Sequence, residues 1–177
     1  MHLPQDCFGL ARAGSAGKAV GVFDVVEHIE EDVAFLRHLW DLLEPGGMLY
    51  LTVPAYQFLW SHEDVLAGHF RRYTVKGMGK KLQEAGFDLT FGTYVFRFLP
   101  LFVFCFRTLP FRLGLASPKV DSQRAARDHA ARDHAATPGL TSSLFQKLLQ
   151  PELSNIKRRK PMLFGGSCLM AARKPTH

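Results

Sequence analysis

Cysteine is scarce in this chain: Cys7, Cys105 and Cys168 stand far apart, odd in number and without a CxxC pair. That excludes a disulfide framework and a paired-cysteine metal site, and it suits a reducing compartment, so a cytoplasmic location is expected. A signal peptide is not expected either, because MHLPQDCFGL has no basic start followed by a long apolar stretch. Nor is there a clean membrane span. In YVFRFLPLFVFCFRTLPFRL (94–113), Arg97, Arg107, Arg112, Pro100 and Pro110 interrupt the roughly 20 apolar residues that a span requires. Charge of one sign is also missing from most of the chain. The net +6 is local, concentrated in the arginines of 97–132 and in KRRK at 157–160, while the first hundred residues are nearly balanced. Such patches read as solvated surface or as contacts to phosphate, nucleic acid or anionic lipid.

What is present suits one folded domain. The 177 residues carry 47% apolar and 21% charged side chains, enough for a core. Residues 1–18 have no period and read as a poorly ordered start; 19–174 read as the domain, with a low-complexity insertion at about 117–140. There AARDHAARDHAA (125–136) repeats, and His129 and His134 at i, i+5 do not share a helix face as metal ligands would. AVGVFDVV (19–26) is an apolar run expected as a strand buried on both faces. The residues EDVAFLRHLWDLL (31–43) place Val33, Leu36, Trp40 and Leu43 on one helical stripe, stopped by PGG (45–47), and MLYLTVP (48–54) is a second strand. Strand, helix, strand with short joints predicts a parallel pair. Thr74 can cap a helix through about Ala85, ended by Gly86, with Met78, Leu82 and Ala85 inward. FDLTFGTYVF (87–96) reads as a strand, the Phe-rich stretch after it as short amphipathic helices, 144–150 as helical, and GGSCLMAARK (165–174) as a terminal strand. The fold class is therefore α/β.

These words together resemble the C-terminal half of class I S-adenosylmethionine-dependent methyltransferases. The likeness rests on FDVVEHIEED (23–32), LLEPGGMLYLTVPA (42–55), LWSHEDVLAGHFRRYT (59–74), LQEAGF (82–87) and LFGGSCLMAARK (163–174). It implies a partial Rossmann-like sheet, the family's last four strands flanked by helices, with the terminal strand antiparallel. It also implies methyl transfer from S-adenosylmethionine to a small or lipid-linked acceptor, at oxygen. The family's glycine-rich cofactor turn has no counterpart, since AGSAG (13–17) fits no strand-turn-helix. The expectation is a truncated gene product, or a cofactor-binding half on another chain, with cofactor binding impaired. A non-catalytic binding module is the alternative, self-associating through the sheet edge that missing strands would expose.

Ligands of parallel sheets sit beyond the strands' C-terminal ends, where Asp24, Glu27 and His28 fall, with His62 and His69 in the next loop. Three readings stay open. The acids could simply face backbone N–H groups at the start of the 31–43 helix. Alternatively His28 or His69 serves as general base toward a hydroxyl, imidazole having a near-neutral pKa. On the resemblance, Phe23, Asp24, Val25 and Glu27 would then line the cofactor, and Trp60, Arg71, Arg72 and Tyr73 the acceptor, the guanidiniums suiting a phosphate or carboxylate. Third, Asp24, Glu27, His28 and His69 could hold a divalent metal, a set similar to the E-x-x-E-H ligands of ubiquinone-pathway O-methyltransferases and small-RNA 2′-O-methyltransferases. Residues 94–113 read as a lid on the sheet or, less favoured, as a peripheral membrane contact. Nucleic-acid binding through KRRK is the weakest reading.

Overall fold

Strand β1 (Gly17–Phe23) runs parallel to β2 (Leu43–Pro54), in register from Ala19 opposite Met48 to Phe23 opposite Thr52. The connection is helix α1 (Asp32–Leu42), as the strand-helix-strand spacing requires. The computed structural model describes residues 17–114 and 140–176, with backbone alone for 140–148. The insertion with His129 and His134 and almost all of the expected irregular start therefore lie outside the described residues. After β2 come α2 (His62–Leu66), α3 (Val75–Glu84) and β3 (Asp88–Val95). The Phe-rich stretch forms α4 (Leu99–Val103), a π-helical turn (Phe104–Thr108) and α5 (Leu109–Arg112) without a break. Helix α6 (Leu140–Lys157) runs through Pro151, well beyond the expected 144–150. The chain ends on β4 (Ser167–Arg173), which inserts between β2 and β3 and opposes both, giving the order β1-β2-β4-β3. The expected α/β class, a mostly parallel set of strands with an antiparallel last one, is what the chain adopts.

Alternation decides the core. Leu49, Leu51 and Val53 of β2 and Cys168, Met170 and Ala172 of β4 point to one face, beneath Leu36 and Leu39 of α1 and Met78 and Leu82 of α3. Each such leucine or methionine buried stabilises by about 1.5–3 kcal/mol. Thr74 caps α3 as its sequence position predicts, its Oγ1 accepting from Gly77 N–H at 3.0 Å, and Gly86 at φ 97° ends the turn. Lys174 ties the last strand to the C-terminal end of α1. Its Nζ donates to Trp40 O at 2.9 Å and Leu43 O at 2.8 Å, where cations are favoured.

Four expectations need correction. β1 stops at Phe23 instead of continuing to Val26, because Asp24 takes φ 52°, a left-handed conformation incompatible with a strand. It is also buried on one face only. Val22 packs inward, while Ala19, Gly21 and Phe23 are exposed, since β1 is the sheet's edge among the described residues. The α1 stripe is rotated: Phe35, Leu36 and Leu39 are its buried apolar residues and Val33 and Trp40 only border the core. PGG does not lie in a loop after α1 but within the first residues of β2.

Candidate functional site

The rim beyond β1 and β2 is pinned by backbone bonds. Asp24 N–H donates to Thr52 O at 3.0 Å, and the Asp24 carboxylate accepts from Thr52 Oγ1 at 3.1 Å. The chain then makes a 3-10 turn, Val26–His28, that buries Val26 and Glu27. The loop after β2 returns along the sheet through the Ala55–Tyr73 bridge, and Phe70 N–H donates to Glu27 O at 2.8 Å. This last bond lays GHFRRY against the β1 loop. His28 and His69 consequently meet edge to face, centroids 4.6 Å apart at 82°.

Asp64 orders this loop. Ser61 and Asp64 form a capping box at the start of α2, Ser61 N–H donating to Asp64 Oδ2 at 2.8 Å. Arg72 grips the same carboxylate, and Nδ1 of His69 lies 2.9 Å from Asp64 Oδ1. Burial pushes the Asp64 pKa up, but the bonds from Arg72, His69 and Ser61 outweigh it and hold the carboxyl below its usual range. An ionised carboxylate only accepts, so His69 Nδ1 donates to Asp64 and Nε2 is the ring nitrogen free of that bond.

A second carboxylate, Asp32, gathers Arg71 at 2.7 Å, Lys81 at 2.8 Å and the Tyr73 hydroxyl at 3.0 Å. Burial raises its pKa and these donors more than reverse that. Tyr73 is buried, and burial with Asp32 beside it pushes the phenol up. Arg71 and Arg72, expected to face an acceptor, are thus turned onto carboxylates of the chain itself. Trp60 is half-buried beyond the 3-10 turn Gln57–Leu59.

Glu27 is the unusual member. It is 1% exposed, and its Oε2 has no hydrogen-bond partner. Burial, opposed by its own backbone bond and helped by nearby Asp24, pushes its pKa up to about 7. His28 is exposed at its rim, yet partial burial and neighbouring His69 lower its pKa. One donor atom each from Glu27, His28 and His69 lie within 4.8 Å of one another. Asp24 is not part of this cluster; the expected four-residue metal set contracts to three, with Asp24 bonded to Thr52.

The organising acids Asp64 and Asp32 were not among the candidates. Asp64 had a signal, the Ser61-x-x-Asp64 spacing of a helix start. Asp32 had none, since its partners lie 39 to 49 residues away.

No protein-family model matches the chain, and no curated protein does. Among solved structures it is similar to the putative methyltransferase in complex with the Haloferax volcanii Trm112 methyltransferase activator, at 13% identity and TM-score 0.45, covering 90% of this chain and 54% of that one. It is similar to the [4+2]-cyclase SpnF at 19% identity and TM-score 0.45, covering 97% and 54%. A third is the S-adenosylmethionine dependent methyltransferase from Mesorhizobium loti, at 15% identity and TM-score 0.45, covering 98% and 64%. The chain spans about half the length of the first two. Overlap of this depth assigns neither a ligand nor a reaction.

Proposed function

We propose that the rim carries the acceptor side of an S-adenosylmethionine-dependent methyl transfer to a hydroxyl of a small or lipid-linked molecule. The observation that supports this is the Asp64–His69 pair, 2.9 Å apart, which orients the imidazole and leaves its other nitrogen, Nε2, clear of that carboxylate. Bound there, an acceptor hydroxyl hands its proton to His69 Nε2 as its oxygen becomes nucleophilic, and Asp64 stabilises the imidazolium that results. Glu27, its pKa raised to about 7 by burial, is partly protonated near neutral pH and in that form can donate a hydrogen bond to the acceptor from its unpartnered oxygen. Arg72 positions Asp64, and Arg71 and Tyr73 fix the neighbouring loop through Asp32.

The cofactor side does not fit as well. S-adenosylmethionine supplies the electrophilic methyl group, but Phe23, Asp24, Val25 and Glu27 offer one exposed ring and two carboxylates, with no glycine-lined hollow between 23 and 28. The described apolar groove is lined by other residues, Phe58 and Phe104 among them. Affinity of the chain for S-adenosylmethionine is therefore weak. Methyl-labelled S-adenosylmethionine, offered with a panel of hydroxylated acceptors, tests the reading. Label transferred by the chain and lost in His69→Gln supports it. No transfer, with calorimetry silent toward the cofactor, leaves the alternative of a non-catalytic module. That alternative is favoured by the edge position of β1 among the described residues and is checked by self-association in size-exclusion chromatography.

A finer version places a divalent cation on Glu27, His28 and His69. A buried carboxylate oxygen without a partner and a histidine oriented by a carboxylate are what a bound cation requires of its ligands. Thermal stabilisation by zinc or manganese, absent in His69→Ala, supports the metal; no shift with either ends it.

A further inference from the structure

The run from Leu99 to Arg112 is apolar on both of its sides. Pro100, Val103 and Thr108 pack inward, Thr108 Oγ1 donating to Leu59 O at 2.9 Å. On the opposite side Leu101, Phe102, Phe106, Leu109 and Leu113 form a stripe at helical spacing, 71%, 64%, 68%, 40% and 62% exposed. The Phe102 and Phe106 rings touch in a tilted pair, centroids 4.7 Å apart at 36°, so they present a single aromatic ridge. An exposed leucine is ordinary; a contiguous stripe of five large apolar side chains is not. Its arginines are drawn back toward the protein, Arg107 to Glu63 and Arg112 to Phe58 O at 3.1 Å.

A second segment joins it. Beside the stripe opens a groove of about 500 Å³ whose lining includes Phe58, Phe98, Leu101, Phe104, Phe164 and one cation, Arg97. Phe164 lies next to Leu163, which is 89% exposed, and Tyr56 holds that corner by donating from its hydroxyl to Leu163 O at 3.3 Å. Directly before these residues stand Lys157, Arg158, Arg159 and Lys160, all exposed and with no ion pair among the described residues. Lys160 and Phe164 are four residues apart and so lie within about 14 Å of each other, which puts the end of the basic run beside the aromatic corner.

We propose that this surface docks on the anionic face of a lipid bilayer. The aromatic ridge and Leu163–Phe164 enter the headgroup–acyl boundary, and Lys157–Lys160 meet lipid phosphates and carboxylates. Charge complementarity selects this occupant. An apolar partner protein leaves four adjacent cations unanswered, and a nucleic acid leaves the aromatic ridge in water. No described helix is long and apolar enough to cross a membrane, so the contact is peripheral. This inference goes beyond the proton-transfer reading and does not depend on His69.

Co-sedimentation of the full chain tests it, with vesicles of phosphatidylcholine alone and with about 30% phosphatidylserine, a content set to give the surface potential that polybasic segments sense. Binding is expected on the mixed vesicles at low salt and is lost at high salt. Arg158→Ala with Lys160→Ala lowers partitioning roughly thirtyfold, and Phe102→Ser with Phe106→Ser abolishes it while circular dichroism stays unchanged. The proposal is overturned if the mixed vesicles are not bound. It fails equally if the serine variant binds as well as the native chain, or if the chain self-associates without lipid and the serine variant prevents that. His69→Gln leaves vesicle binding intact, so failure here and failure of the acceptor-site reading are separate results.

Discussion

Arg72 closes on Asp64 with both arms of its guanidinium, Nε to Oδ1 at 2.8 Å and Nη2 to Oδ2 at 3.0 Å. The pair is largely dehydrated, Arg72 being 11% and Asp64 1% exposed at the side chain. A forked donor fits a carboxylate in two parallel bonds, which explains arginine here where a lysine offers only a point charge. Through this grip the loop after β2 gains a fixed shape, and His69 gains its orientation.

Asp64→Asn is therefore expected to cost about 3–5 kcal/mol, because it leaves a buried guanidinium without a counter-charge. Arg72→Lys keeps the charge and loses the fork, so its loss is smaller, about 1–2 kcal/mol. Urea unfolding monitored by Trp40 and Trp60 fluorescence measures both. Equal losses in the two variants refute the bidentate account.

Glu27 should act on stability in the opposite direction. Its folded pKa of about 7 lies above the unfolded value of 4.5, so the folded state prefers the proton. The penalty it imposes is absent below pH 4.5, grows as pH rises toward 7 and is constant above that. Glu27→Gln keeps the shape and removes the titration. In chelator-containing buffer it is expected to be more stable than the native chain by about 3 kcal/mol at pH 8, the two converging near pH 4. A pH-independent difference between the two contradicts the raised pKa.

Local signals were legible where local physics decides. Thr74 and Gly86 bound α3 because a cap and a left-handed glycine act within one turn of chain, and Cys168, Met170 and Ala172 alternate because a pleat has period two. The one-sidedness of β1 was not legible, since an apolar run looks the same whether its second face is covered or open. The fate of Arg71 was equally hidden: its partner Asp32 is 39 residues away, and only the fold brings them together. Of the site, the closeness of Glu27, His28 and His69 followed from parallel topology, whereas the turn of Asp24 onto Thr52 did not. The inward turn of both arginines did not.

Asp32 supplies a prediction at acid pH. Its pKa is held low by Lys81, Arg71 and Tyr73 against the effect of burial, so its contribution is complete above the unfolded value of 3.8 and disappears as pH falls through the folded one. Tyr73→Phe removes one donor without changing shape. A loss of about 1 kcal/mol at neutral pH is expected, with acid unfolding beginning at higher pH than in the native chain. If the acid midpoint is unmoved, the Tyr73 hydroxyl at 3.0 Å is not what holds Asp32 ionised.

Gly165 and Gly68 separate two reasons for glycine. A Cβ at Gly165 would lie 2.2 Å from Val95 O and 2.7 Å from Val95 N, backbone atoms that cannot swing aside. Gly166 beside it donates to Phe96 O at 3.1 Å and accepts from Ala55 N–H at 2.9 Å, so the junction entering β4 is fixed on both sides. At Gly68 the added carbon meets nothing within 4 Å, and only its φ of +72° opposes a side chain. Gly68→Ala is thus expected to cost about 1 kcal/mol, the left-handed penalty alone. Gly165→Ala has to part β3 from the start of β4 and should cost several-fold more, about 3 kcal/mol or above. Comparable urea midpoints for the two variants would mean that the chain does not pass this close to Val95, and the placement of β4 between β2 and β3 would need another cause.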